Sequence, residues 1–253
     1  MVPTILRYDS LPSTNTEAAR AARLGAPEGL CVISREQTAG RGRREREWCS
    51  PMDAGLYFSI VLRPKMEQRL WPLLTLMASL AVYDALAEAC ALETDIKWPN
   101  DVYAGGRKLC GILAETVESD AGRAVIIGIG INLNDNAFPE ELKTVATSVE
   151  AETGRAASRE PLIESLVRSL LKKYEALQEP DGATLMLGEW TERSSYADGK
   201  QVRVEMSDEI IEGTTRGLEP DGALRVETVA GDIKLVRAGD VWALRPNLKR
   251  ARG

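Results

Sequence analysis

Apolar positions fall in short runs broken by glycine, proline and charged clusters, with one longer apolar stretch among them. Thr4 to Tyr8 alternates like a short strand, and Asn15 to Leu24 carries an alanine-rich helical pattern that stops at Gly25. Leu30 to Ser34 and Gly55 to Leu62 read as compact apolar strands, the second ended by Pro64. Leu70 to Leu92 predicts the longest helix, with Pro72 accommodated in its first turn. Its apolar coverage is wide enough for burial against a sheet.

Short strands follow at Asp95 to Trp98, Val102 to Ala104 and Lys108 to Thr116, with Gly105-Gly106 as a hairpin turn between the last two. Ala124 to Leu133 is β-branched and predicts an inner strand. Pro161 to Leu177 is an amphipathic helix, and Thr184 to Arg193 a second. The pattern changes near Ser195. Gln201 to Met206, Ile210 to Gly217, Ala223 to Thr228, Ile233 to Val236 and Val241 to Leu244 alternate between turns such as Asp221-Gly222. That spacing predicts a small all-β barrel of about 50 residues. The basic run Lys249 to Arg252 reads as a disordered tail, and no internal repeat is present.

Composition narrows the chemistry. The chain has 253 residues, 44% hydrophobic and 28% charged, which fits an ordinary globular protein with room for one large domain and a small one. No segment reaches about 18 uninterrupted apolar residues, and the N-terminus lacks a signal-peptide core. A net charge of −6 argues against generic nucleic-acid binding. Cys31, Cys49, Cys90 and Cys110 form no CxxC pair, so reduced thiols in the cytoplasm are expected. The chain contains no histidine. That removes Ser-His-Asp and Cys-His hydrolysis and imidazole-built zinc sites together.

Candidate chemistry concentrates in five segments. In GRGRREREW, Gly40 to Trp48, four arginines (Arg41, Arg43, Arg44, Arg46) crowd a loop containing Gly40 and Gly42. Arginine offers fixed, bidentate donors to phosphate and carboxylate, so the loop is either a small-molecule phosphate site or a solvated basic patch. In KWPND, Pro99 ends a strand and leaves Asn100 and Asp101 at its tip beside Lys97, a phosphate or magnesium grip or an ordinary turn. In RKLCGIL, strict alternation puts Lys108 and Cys110 on one face, Leu109 and Gly111 on the other. Cys110 is expected in the core, since no imidazole can activate it. In STN, Thr14-x-x-Glu17 fits a capping box, although the same helix end could bind a polar ligand head. In GIGINLN, Gly128 to Asn134, small residues leave backbone on which something flat could lie. No helix opens there, so the dinucleotide fingerprint fails.

In this order, STN, QTAGRGRR, Trp48, KWPNDVY, GGRKLCGIL and GIGINLN resemble biotin protein ligase, from about Ile5 to Trp242. The resemblance implies an α+β fold: a mixed-sheet catalytic domain over residues 1–194, then an SH3-like barrel over 195–247 and a tail over 248–253. It implies magnesium-dependent reaction of biotin with ATP to biotinyl-5′-adenylate, then transfer to a lysine of a biotin carboxyl carrier domain. By motif, Ser13, Thr14, Asn15, Gln37, Gly40, Arg41, Gly42, Arg43, Lys108 and Gly111 would surround biotin and the adenylate. Lys97 and Asn132 would serve ATP, and Asp101 the metal and the reacting centre, with Lys108, Arg43 and Asp101 the catalytic set. The family loop commonly reads GRGRRG, and this chain has Glu45 at the last glycine. Only about a dozen residues precede STN, too few for a helix-turn-helix, so the ligase-only form is expected: no DNA, no membrane, and a homodimer left open.

The chemistry needs no histidine. Nucleotidyl transfer is driven by positioning and fixed positive charge, which Arg41, Arg43, Lys97 and Lys108 can supply with magnesium. The second step needs a neutral carrier lysine, and at pH 7 only about one lysine in two thousand is neutral. Asp101 is the candidate base. Three rivals stand beside this reading: a lipoate–protein ligase, a nucleic-acid-binding module and a non-catalytic biotin sensor.

Overall fold

A seven-stranded mixed sheet forms the centre of the computed structural model, which describes residues 2–119, 122–206 and 209–244. The expected tail at 248–253 and residues 245–247 lie outside the described residues. The sheet is built from β1 (Thr4–Leu11), β2 (Leu30–Gln37), β3 (Gly55–Leu62), β4 (Asp95–Lys97), β5 (Asp101–Ala104), β6 (Arg107–Val117) and β7 (Ala124–Asn132), in the order β1-β2-β3-β7-β6-β5-β4. β1 and β2 are parallel and the remaining pairs antiparallel. Every residue of β3 and β7 is buried, as their near-continuous apolar sequence requires of central strands covered on both faces.

One face carries the helices α2 (Leu73–Cys90), α4 (Arg159–Leu177) and α5 (Gly182–Glu192) over Leu56, Phe58, Ile60, Ile127, Ile129 and Ile131. Among the described residues α2 alone is long and apolar enough to match a membrane span, and it lies inside the fold. Its Asp84 pairs with Lys173 and Arg193, and its Glu88 with Arg168. On the other face α1 (Thr14–Arg23) buries Ala18 and Ala22 against Val32, Val61 and Ile126. The rest of that face is the floor of a pocket. A short helix, α3 (Val149–Thr153), capped by the Ser148 side chain, was not legible in the sequence.

The expected SH3-like unit is a five-stranded antiparallel sheet of β8 (Asp198–Glu205), β9 (Ile210–Leu218), β10 (Leu224–Thr228), β11 (Ile233–Val236) and β12 (Asp240–Ala243), ordered β11-β10-β9-β8-β12. Its inward residues, among them Val202, Val204 and Val226, join the core of the larger sheet. The Trp98 indole donates to the Gly222 carbonyl at 2.9 Å, tying the KWPND turn to this unit.

Candidate active site

The pocket is a cavity of about 280 Å³ on the open face of the sheet, roofed by the arginine loop. Its floor is glycine. On β7, Gly128, Gly130 and Asn132 face the pocket while the isoleucines between them enter the core. Gly130 pairs across the sheet with Gly111 of β6, and the Trp48 indole lies over both. A Cβ on Gly130 would come within 2.4 Å of Trp48 Nε1, and one on Gly111 within 3.0 Å of its Cζ3. The flat group suggested by GIGINLN is therefore, in part, this protein's own tryptophan. Its buried Nε1–H has no acceptor.

Strict alternation along RKLCGIL is not observed. The β5–β6 register shifts between Val102 and Tyr103, so that Val102 opposes Cys110 while Tyr103 opposes Lys108. The extra residue is Leu109, and this bulge returns Lys108 to the face of Gly111 while Leu109 and Cys110 both enter the core. Burial pushes the Cys110 thiol up, in keeping with a core role. Lys108 Nζ lies 2.7 Å from Asp101 Oδ1 and 5.4 Å from the centre of the Trp48 ring.

The capping box expected at Thr14 does not form either. Ser13 is the N-cap without a side-chain bond, and Glu17 turns to Tyr8 and Arg20. Gln37 Oε1 instead accepts from both the Thr14 amide and its hydroxyl, at 2.9 and 3.1 Å. Asn15 Nδ2 donates to Glu115 at 2.7 Å, and its Oδ1 accepts from Ser59 at 2.6 Å. A carboxylate from β6 thus fixes the orientation of the Asn15 amide. Ser13, Thr14, Asn15 and Gln37 together form one polar end of the pocket.

The loop over the pocket is a tight turn of its own. Trp48 N donates to Gly40 O and Gly42 N to Arg46 O, with Arg44 and Glu45 both left-handed at φ 53° and 60°. Gly40 is buried outside the lining; a Cβ there would meet Trp48 O at 2.3 Å, so its part is to let the loop close on itself. Three of the four arginines have carboxylate partners: Arg41 pairs with Glu115 at 3.0 Å, and Arg44 and Arg46 both pair with Asp240 of β12. Arg43 is the exception. It donates to Asn100 Oδ1 at 3.0 Å and Gly239 O at 3.4 Å, both neutral acceptors. Burial pulls its pKa down, against the pull of Asp240 and Asp101. A desolvated cation whose hydrogen bonds are all to neutral oxygens is matched to an anionic ligand.

Lys97 lies elsewhere. It is buried at the junction with β12, donates to the Tyr103 hydroxyl at 2.9 Å, and sits 4.8 Å over the Tyr103 ring and 5.1 Å over that of Trp242. Asn132 does line the pocket, its Nδ2 donating to Thr147 O. The far wall was not legible in the sequence: Ala137, Phe138, Val145 and Ala146 come from irregular chain, held against Lys108 by Lys108 N to Val145 O at 2.9 Å.

Residues 8–132 match the model of the Biotin/lipoate A/B protein ligase family, and residues 199–242 that of the Biotin protein ligase C terminal domain. The chain is 37% identical over 237 residues to the biotin--[acetyl-CoA-carboxylase] ligase of Paracoccus denitrificans, covering 91% of this chain and 96% of that protein. It is 38% identical over 240 residues to the bifunctional ligase/repressor BirA of Bacillus subtilis, covering 94% and 73%. The structure of biotin protein ligase from Aquifex aeolicus in complex with biotin and ATP matches with a TM-score of 0.83 at 30% identity, over 96% of this chain and 100% of that one.

Proposed function

Because the chain belongs to the Biotin/lipoate A/B protein ligase family and is a biotin protein ligase within it, we propose the following division of work among its residues. The reaction joins biotin to ATP as biotinyl-5′-adenylate and passes biotin to a lysine of a carrier domain. In the first step a carboxylate oxygen of biotin attacks the α-phosphorus, and pyrophosphate leaves with the electrons of the broken P–O bond. Two anions meet, so the catalyst must supply fixed positive charge at that point. Arg43 supplies it, since its hydrogen bonds go to neutral oxygens rather than to a carboxylate, and this single observation carries the assignment. Lys108, held by Asp101 at one wall, supplies the second charge.

The polar end formed by Ser13, Thr14, Asn15 and Gln37 receives the polar ring of biotin. The slot between Trp48, Phe138, Ala146 and Asn132 receives the adenine, whose flat face matches the indole. Arg41, Arg44 and Arg46 hold the loop shut rather than touch phosphate, keeping water from a reactive anhydride. Among the described residues no cluster of three or more His, Cys, Asp or Glu could hold a metal unaided. Magnesium takes one or two protein carboxylates and completes its shell with phosphates and water, and Asp101 on the pocket wall fits that pattern. The ion would enter with ATP and offset phosphate charge.

The division into a catalytic domain over 1–194 and a barrel over 195–247 is supported by the two separate sheets. A cytoplasmic setting is supported by the four unpaired cysteines. The test is incubation with biotin, magnesium-ATP and a carboxyl carrier domain, read by pyrophosphate release and intact mass. Release of pyrophosphate and one added biotinyl group on the carrier are expected; lipoate replacing biotin as the better substrate would overturn the assignment.

A further inference from the structure

A second cavity, of about 400 Å³, lies behind the wall formed by Arg43, Asn100, Ile112 and Leu113, which line both cavities. It is bounded by Pro72, Thr75 and Leu76 at the start of α2, by Trp98 and Pro99, and by Ala114 of β6. The turn of Asp221 and Gly222 closes it. The space exists because β5 leaves β6 early. Strand pairing ends at Asp101 with Gly111, Asn100 and Ile112 exchange two last bonds at 2.9 and 2.8 Å, and beyond Ile112 no described strand lies along that edge.

We infer that this second cavity admits the acceptor lysine of the carrier domain, an inference that rests on the ligase reading above. The first pocket is roofed by a loop strapped to Glu115 and Asp240, so the acceptor needs a route that leaves the roof closed. The partition between the cavities carries Arg43, the charge assigned to the phosphate end of the adenylate. Proline, leucine and tryptophan walls suit the four-carbon stem of a lysine. The charged groups facing the cavity are Arg43 from the loop, Arg69 ahead of α2, which pairs with Glu67 at 2.6 Å, and Arg237 and Asp221 from the barrel, paired at 3.0 Å. Arg43, the lining cation bonded only to neutral oxygens, and the apolar walls both disfavour an ammonium ion, so a lysine entering here becomes the neutral amine that attack requires. Asp101, tied to Lys108 in the first pocket, is not needed as a base.

In the transfer step the ammonium sheds one proton to water on entry, and its nitrogen lone pair attacks the biotinyl carbonyl carbon. The C–N bond forms and the C–O bond to phosphate breaks. AMP leaves with that electron pair, and the second amine proton passes to solvent.

Ala114 and Thr75 line only the second cavity, so Ala114→Trp and Thr75→Trp narrow it from two different elements. Hydroxylamine, small enough to bypass the narrowing, traps the adenylate as biotin hydroxamate. In both variants hydroxamate forms at the wild-type rate, while transfer to the carrier falls about a hundredfold, the scale on which a misplaced reactant loses rate. Arg69→Glu shifts the pH profile of transfer upward and leaves that of hydroxamate formation in place. Wild-type transfer by both tryptophan variants overturns the inference, as does equal loss of hydroxamate and transfer. If the wild-type protein forms no hydroxamate, the ligase reading itself has failed.

Discussion

Asp101 and Lys108 meet at 2.7 Å although the register pairs Asp101 with Gly111, because the bulge at Leu109 turns Lys108 back over that glycine. The ion pair thus depends on one extra residue in β6. Lys108→Ala removes a positioned charge from the adenylation centre, so pyrophosphate release is expected to fall ~10²–10³-fold in a folded protein. Wild-type release from that variant would take Lys108 out of the chemistry.

Asp240 accepts from Arg44 and Arg46 at once, with little of its side chain exposed. Asp240→Asn keeps the shape and removes the charge. Losing charge-assisted bonds worth ~1.5 kcal/mol or more should speed adenylate release about tenfold. The measurement is diffusible adenylate separated from protein by rapid gel filtration. Arg46→Asp combined with Asp240→Arg should restore retention in part, an outcome that a purely structural aspartate would not give.

Glu45 occupies a left-handed conformation at φ 60° where the family loop commonly has glycine. Such a residue costs ~1–2 kcal/mol. Glycine relieves that strain but frees the unfolded chain, offsetting ~0.4–1 kcal/mol. Glu45→Gly is therefore expected to raise stability by up to about 1.6 kcal/mol, and Glu45→Ala not at all. Urea midpoints of the two variants decide it; equal midpoints would remove the strain argument.

Lys97→Met keeps the aliphatic stem among Tyr103, Tyr196 and Trp242 and removes the charge. Burial already pulls the Lys97 pKa down, only partly countered by Asp101, so the loss of cation–π attraction is offset by relief of a desolvated charge. The KM for ATP should stay within about twofold of wild type, less than half a kcal/mol of binding. A tenfold rise would return Lys97 to the nucleotide.

Asp84 fastens α2 to α4 and to the end of α5 through Lys173, 2.9 Å away, and Arg193. Burial pushes its carboxyl up, but Lys173 and Arg193 outweigh this and hold it below its ordinary value. A depressed carboxylate stabilises the fold above its unfolded pKa of about 3.9, and that contribution is lost as pH falls through the folded value. Asp84→Asn should therefore destabilise at pH 7, and its deficit against wild type should shrink as pH drops below about 4. Denaturant midpoints across that range test it; a constant deficit would show that hydrogen bonding, not charge, is what Asp84 contributes.

The elements that bury whole faces were legible in the sequence. Gly55 to Leu62 is a strand with the bounds its apolar run predicted, and Gly105-Gly106 turns the hairpin with both residues left-handed. Where one residue changes the phase, periodicity failed: the bulge put Leu109 in the core beside Cys110, which was expected there, and Lys108 beside Gly111. The predicted helix from Leu70 was shortened because Pro72 stands at its cap and Gln68–Leu70 is a separate turn. The pocket's glycines and basic groups were readable from motifs. Its countercharges were not, since Glu115 and Asp240 lie 74 and 194 residues from the arginines they hold, Arg41 and Arg46. Four crowded arginines repel one another, and only the folded chain shows which carboxylates answer three of them.

The strap from Asp240 to the loop at Arg44 and Arg46 also sets an order of events during synthesis. Domains form from the N-terminus as the chain emerges from the ribosome. The glycine floor and the arginines are made early, while the aspartate that fastens the roof lies in β12, the last strand described. A nascent chain could bind its small substrates before it could keep a reactive intermediate. Retention of activated biotin therefore begins only once β12 has been made and Asp240 has docked on the loop.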